Sequence, residues 1–378
     1  MRVGIDARFY GSVGKGLGRY TEKLIHHLES LADSQDEFFI FLKKENFEEY
    51  APKSEFFHKV LADYPWYGFS EQIGFPFLLR RYSLDLVHFP HFNVPILYFA
   101  PFVVTIHDLI LLRYPTIRST TRTAWLYHLK FLAYRLIIAS AVHRARSIIT
   151  VSYFTKTDIE KEYPSSEGKV VVAYEGSELH ENGRKDGARD RSAASHEKEK
   201  SGILSPYFLY VGNAYPHKNL ELFIPLAQKF PHIRFVLVGK EDFFYRRLQA
   251  RVVESGVGNI LFVGYKTDTE IEALYKGAVG YIFPSLYEGF GLPPLEAMRF
   301  GTPVIASSRG ALPEILGDAA LLADPARVED FARHVDALSQ DAGFRQAQGE
   351  RGRIHAEKFT WRGMAVKILA YYREALKK

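Results

Sequence analysis

The chain has 378 residues, 47% hydrophobic and 25% charged, which excludes whole-chain disorder and predicts two domains at roughly 100–200 residues each. It contains no cysteine, so disulfides, thiolate metal sites and a cysteine nucleophile are excluded together. The formal charge of +5 is mild; it favours an anionic partner without naming one.

The N-terminal MRVGIDARFY carries Arg2, Asp6 and Arg8 where a secretory leader needs an apolar run. No stretch reaches about 18 uninterrupted apolar residues. A cytoplasmic protein is expected, at most peripheral at the inner face of a membrane. RVGID (2–6) reads as a short buried strand, and 18–28 as a helix with Tyr20, Leu24, Ile25 and Leu28 on one face. Between them, Gly14, Gly16 and Gly18 of GSVGKGLGRY form a connection that either lets backbone approach a diphosphate or acceptor or is a plain loop. Its G-x-G-x-G spacing does not fit a dinucleotide fingerprint.

Further buried-type strands follow at 37–42, 84–89, 102–107, 147–152 and 169–174, separated by helical segments. This rhythm predicts a parallel α/β sheet. His88 and His91 in HFPHFNVP lack a visible third ligand for zinc and are read as lining a cleft. The 102–107 strand ends in His107, followed by Asp108. Residues 121–146 mix Trp125, Tyr127, Phe131 and Tyr134 with Arg122, Lys130 and Arg135, which suits either anionic headgroups or a buried helix with snorkelling cations.

Residues 175–201 are polar, charged and without aromatics, the composition of a flexible linker or surface loop. The α/β rhythm then restarts with strands at 207–212, 234–239, 259–264, 280–285, 303–307 and 320–325. The predicted organisation is a Rossmann-like domain over 1–174, a linker over 175–203, a second Rossmann-like domain over 204–360 and a C-terminal helix over 361–378 returning to the first. Ligands of open parallel sheets bind beyond the carboxyl ends of the strands, so two such domains facing each other make a cleft.

In YEGFGLPPLEAM, Gly289-Phe290-Gly291 turns into Pro293-Pro294, and 295–300 is predicted to be a short helix stopped by Gly301 and Pro303. The N–H groups of Phe290, Gly291 and Leu292 then suit an anion. Glu288 and Glu296 flank that position, and a carboxylate accepts two hydrogen bonds side by side, as vicinal sugar hydroxyls require. The same residues also fit a solvated Glu288 and a Glu296 that only favours the helix dipole. In YVGNAYPHKNL, Lys218 falls at a helix start after a strand, where its ammonium can meet a diphosphate.

The pair E288-GFGLPPL-E296 resembles the Glu, seven residues, Glu hallmark of the retaining nucleotide-sugar glycosyltransferases of family 4. GTPVIASSRGALPEILGDAALL (301–322), YVGNAYPHKNL, VTIHDL and GKGLGRY are similar to the same family. The resemblance spans both domains, skipping the linker and about 47–81. It implies the two-domain GT-B architecture, with acceptor on the N-terminal domain and donor on the C-terminal one. It also implies that Glu288 contacts donor-sugar hydroxyls, Glu296 the ribose and His107 the donor sugar; for Asp108 the simplest role is to orient the histidine. The family pairs the lysine with an earlier arginine; Asn213 stands there, leaving phosphate charge to Lys218, with Arg309 as a substitute.

The sequence lacks an Asp-x-Asp motif, so with Lys218, the Phe290–Leu292 N–H groups and the Gly16 loop to meet the diphosphate no metal is expected. The resemblance implies a retaining transferase with no resident cofactor, moving mannose from GDP-mannose onto a saccharide or polyprenyl-linked saccharide in polysaccharide assembly. Peripheral contact with an anionic membrane is compatible with it, and no nucleic-acid partner is expected. The alternatives are a UDP- or ADP-sugar donor, a nucleotide-sugar epimerase or hydrolase on the same fold, or a non-catalytic sugar-nucleotide-binding protein.

Overall fold

The computed structural model describes residues 1–11, 15–115, 124–178 and 206–377. The chain divides into two compact units. The first comprises Met1–Leu109, Thr120–Gly176 and Trp361–Lys378; the second comprises Ile110–Ser119 and Ser177–Thr360.

In the first unit, β1 (Arg2–Asp6), β2 (Glu37–Leu42), β3 (Phe57–Leu61), β4 (Leu86–Phe89), β5 (Phe102–Ile106), β6 (Ser147–Thr150) and β7 (Val170–Val172) form a parallel sheet. Its order is β3-β2-β1-β4-β5-β6-β7. Val3 pairs with Phe38 on one side and with Leu86 on the other. Every residue of β4, β5 and β6 is buried, as a sheet covered on both faces requires. The strand β3 has no counterpart in the sequence reading. FHKVL lies at the sheet edge, pairs with β2 and buries only Phe57 and Val60, with His58 and Lys59 half-exposed between them and Leu61 exposed, so no continuous apolar run stands out.

The first helix runs Lys15–Glu29 and buries Tyr20, Leu24, Ile25 and Leu28. It starts earlier than its apolar spacing predicts, so Gly16 and Gly18 lie inside the first turns instead of in a loop; Gly14 is outside the described residues. A Cβ at Gly18 would stand 2.1 Å from the Gly11 carbonyl oxygen and 2.6 Å from that of Phe9. Only glycine lets the helix approach the β1 exit so closely. At Gly16 nothing lies within 4 Å of the corresponding position.

The C-terminal helix Trp361–Ala375 belongs to the first unit. The Tyr371 hydroxyl donates to the Val172 carbonyl at 3.0 Å, and Arg146 donates to the Ala375 carbonyl at 2.9 Å.

In the second unit, β8 (Tyr207–Val211), β9 (Arg234–Val238), β10 (Ile260–Phe262), β11 (Gly280–Phe283), β12 (Val304–Ser307) and β13 (Leu321–Ala323) form a parallel sheet ordered β10-β9-β8-β11-β12-β13. Strand order reverses between β8 and β11, and in the first sheet between β1 and β4. Loops leaving adjacent strands at such a point diverge, opening a crevice at their carboxyl ends.

Candidate functional site

The second unit's crevice lies between the loops that leave β8 and β11. After β8, the Tyr210 hydroxyl donates to the Asn213 carbonyl at 2.7 Å, and a short turn, Pro216–Lys218, follows. Asn219, left-handed at φ 57°, donates through Nδ2 to the carbonyls of Pro284 and Pro325, pinning the turn to the ends of β11 and β13. The Leu286 N–H donates to the His217 carbonyl at 2.7 Å, joining the two loops.

Across this junction Lys218 Nζ donates to Glu288 Oε1 at 2.6 Å, with only 14% and 9% of the two side chains exposed. The ammonium also sits 5.2 Å from the Phe283 ring centre. Burial, assisted by the Lys218 charge, pulls the His217 pKa down to about 4, so that imidazole is neutral near pH 7.

Glu288 is held from behind. Ala311 N–H donates to its carbonyl at 3.0 Å, and Gly310, at φ 67°, packs so closely that a Cβ would stand 2.8 Å from the Glu288 nitrogen. Gly291, left-handed at φ 107°, caps the helix Leu292–Arg299. That helix starts three residues before the predicted 295–300, because Pro293 and Pro294 fit its first turn. Glu296 consequently sits in the second turn. It is buried, with the Tyr275 hydroxyl 3.5 Å from its Oε2. The Phe290 ring is buried edge-on against Phe359, and the first N–H groups of the helix have no intrahelical acceptor.

In the first unit, His107 follows β5. Its Nε2 lies 3.1 Å from the Pro90 carbonyl oxygen and its Nδ1 3.1 Å from Glu175 Oε1. The Tyr20 ring stands edge-on to the imidazole at 4.6 Å. Burial pulls the His107 pKa down, but the Glu175 hydrogen bond and charge, the Pro90 carbonyl and the Asp108 charge outweigh it, leaving the pKa raised. Asp108 therefore does not orient the ring as expected; Glu175 and Pro90 do, and Asp108 acts through its charge. Glu175 is also not part of a flexible linker, and neither is Ser177, whose hydroxyl accepts from Arg299 Nε at 2.7 Å. The rest of the predicted linker, 179–203, lies outside the described residues.

His88 is not a cleft-lining residue. It is fully buried between the Tyr372 hydroxyl at 2.6 Å and Thr105 Oγ1 at 2.7 Å, and Thr105 in turn meets the Tyr20 hydroxyl at 3.1 Å. This chain of hydroxyls ties the C-terminal helix to β4, β5 and the first helix. Burial pushes the pKa values of His88 and His91 down to about 3. Among the described residues no three His, Asp or Glu side chains are grouped to hold a metal ion.

Two family models match the chain: "Glycosyltransferase Family 4" over residues 14–181 and "Glycosyl transferases group 1" over 193–355. The chain belongs to the family 4 glycosyltransferases. It is 28% identical over 303 residues to an O-antigen chain mannosyltransferase B of Escherichia coli, covering 78% of this chain and 76% of that one. It is 28% identical over 263 residues to the O-antigen chain mannosyltransferase RfbU of Salmonella typhimurium, covering 69% and 66%. Sucrose-phosphate synthase from Thermosynechococcus elongatus shares the fold at a TM-score of 0.77 and 20% identity, covering 99% and 98%. The architecture is GT-B, with two parallel-sheet units of seven and six strands.

Within the glycosyltransferase, Lys218 and Glu288 are brought together, and Phe290, Gly291, Leu292 and Glu296 lie in the turn and helix that directly follow Glu288. Asn213 is exposed at the head of the β8 loop, its Oδ1 accepting from the Tyr215 N–H. Arg309 pairs with Asp324 at 3.1 Å. Glu175 is the residue the sequence reading missed. Its signal was positional: a carboxylate just past β7, at the carboxyl end of a parallel strand, where a polar residue is exceptional in a buried sheet.

Proposed function

We propose that this glycosyltransferase moves a mannosyl group from GDP-mannose to a saccharide or polyprenyl-linked saccharide, with retention of anomeric configuration and without a divalent metal. The Lys218–Glu288 pair at the strand-order reversal of the second sheet is the observation that carries this reading. A charged donor and a charged acceptor of hydrogen bonds stand side by side in a mostly desolvated crevice. The ammonium suits the diphosphate, on which negative charge grows as the sugar leaves, and the carboxylate suits the sugar hydroxyls. Similarity to two O-antigen mannosyltransferases supports mannose as the sugar. The sequence contains no Asp-x-Asp motif, so charge stabilisation falls to Lys218 and the N-terminus of the Leu292–Arg299 helix.

The acceptor reaches the protein at a membrane surface. No helix among the described residues is long and apolar enough to cross a bilayer. Phe69, Ile73 and Phe77, on one face of the helix Phe69–Arg80, are 91%, 51% and 60% exposed, and Ile96, Leu97 and Phe99 are exposed too. The Ile96 N–H donates to Gln72 Oε1, fastening that loop to the helix. From 120 to 157 the chain has no Asp or Glu, whereas Arg135, Arg144, Arg146 and Lys156 are among its cations. Arg144 lies 5.7 Å from the exposed Phe99 ring centre, and exposed apolar side chains together with cations suit an anionic lipid interface. Only part of the expected 121–146 surface is described: side chains up to 130 lie outside the described residues.

The test is transfer from GDP-, UDP- and ADP-sugars to a polyprenyl-linked saccharide, with product anomericity read by NMR in the presence and absence of EDTA. An α-mannosyl product from GDP-α-mannose in both conditions supports the reading. Release of free sugar without acceptor, an inverted product, or activity lost to EDTA and restored by manganese overturns it.

A further inference from the structure

Both ring nitrogens of His107 face atoms with no hydrogen to give. The Pro90 carbonyl oxygen, 3.1 Å from Nε2, can only accept, and Glu175 Oε1, 3.1 Å from Nδ1, accepts as a carboxylate. A neutral imidazole has one N–H and would leave one of these contacts between two acceptors. Two N–H groups satisfy both. We propose that Glu175 is a positioning residue that holds His107 as an imidazolium, giving the first unit a fixed positive charge at the carboxyl end of β5.

The surroundings agree. From β4, His88 is bonded to Tyr372 and Thr105 hydroxyls and is held neutral by burial, as is His91 beyond it, so neither competes as a cation. From the first helix Tyr20 offers a ring edge, and its hydroxyl is engaged with Thr105. From the 153–162 helix Thr155 donates to the His107 carbonyl and leaves the ring alone. Asp108 and Glu175 supply the negative charges that face the imidazole. With both nitrogens protonated, the ring has no lone pair for attack or proton abstraction. Its contribution is charge. The catalytic consequence rests on the transferase reading; the protonation state does not.

The experiment is long-range 1H–15N correlation NMR on protein labelled with 15N-histidine, between pH 5.5 and 9. The His107 signal, one of 14, is identified by its loss in His107→Gln. In the wild type both nitrogens should be protonated at pH 7.5, with a midpoint above that of a free imidazole. Glu175→Gln should lower that midpoint at least tenfold in proton affinity, because its amide can donate to a bare Nδ1, and Glu175→Asp should retain part of the rise. The fall in turnover with rising pH should move down by the same interval in Glu175→Gln. A bare Nδ1 at pH 7.5 in the wild type, including one facing a protonated Glu175, overturns the proposal, as does a Glu175→Gln titration superimposable on the wild type. If Glu175→Gln does not fold, the wild-type spectrum decides alone. The expected spectra in a protein without transfer activity would overturn the transferase reading and support this one.

Discussion

Replacing Glu288 with Gln should weaken transfer yet tighten binding of the free nucleoside diphosphate. Lys218 Nζ is 2.6 Å from Glu288 Oε1, with both side chains largely out of water. At an effective dielectric near 20, two unit charges at that separation attract by roughly 6 kcal/mol before their desolvation is subtracted. A diphosphate reaching Lys218 must share the ammonium with this carboxylate and bear its repulsion. Glutamine keeps the shape and the carbonyl but removes the charge. A hydrogen bond to a charged group contributes about 1.5–3 kcal/mol, or roughly 10- to 150-fold. Glu288→Gln should therefore bind GDP about tenfold more tightly, Lys218→Met should bind it at least tenfold more weakly, and transfer by Glu288→Gln should fall by at least tenfold as its sugar contact is lost. Isothermal titration with GDP and a turnover assay measure the two effects separately. Unchanged GDP affinity in both variants would show that the pair does not meet the diphosphate, and full turnover in Glu288→Gln would remove the carboxylate from the site.

Gly310→Ala should lower both stability and turnover, since φ 67° strains an L-residue and the new Cβ would press on the Glu288 backbone 2.8 Å away; a cost of about 1–3 kcal/mol is expected by thermal unfolding. Acid should destabilise both units. The folded pKa values of His88 and His91, about 3, and of His217, about 4, lie below the unfolded value near 6.5, so the stability they confer is present above pH 6.5 and lost as pH falls toward 3 or 4. Each such group costs about 1.4 kcal/mol per pH unit in that window. His88→Gln should accordingly show a shallower stability loss between pH 6 and 4.5 in urea titrations, and an unchanged slope would refute the buried neutral assignment. Replacing Phe69, Ile73 and Phe77 with Ser should reduce cosedimentation with anionic vesicles at least tenfold while sparing turnover on a water-soluble acceptor; equal cosedimentation would place the lipid face elsewhere.

The second sheet was legible strand by strand, because its six runs are continuous, apolar and punctuated by glycine or proline. The first was legible except for β3, an edge strand whose exposed side allows His58 and Lys59 to sit in it. The periodicity of the first helix gave its buried face correctly but not its start. Gly16 and Gly18 look like loop residues in sequence, and the contact that forces glycine at 18 comes from the Gly11 carbonyl, which the sequence cannot place. The glutamate motif identified the donor-side residues without revealing that Glu288 and Lys218 are bonded to each other. That bond joins positions 70 residues apart, and it forms because β8 and β11 are neighbours across the strand-order reversal.

The case of Glu175 shows where composition misleads. The residues after Tyr174 are polar, and polarity over a long window reads as a linker; yet the first of them is fixed by one contact, the His107 imidazole, that lies 68 positions away. A single buried carboxylate costs free energy unless a donor meets it. A strand-end histidine whose other nitrogen already faces a carbonyl needs an acceptor of charge to keep its second proton. Each residue supplies what the other lacks, so the pair stands even though neither position alone announces it, and this segment of the first unit ends at Gly176, one residue past the carboxylate.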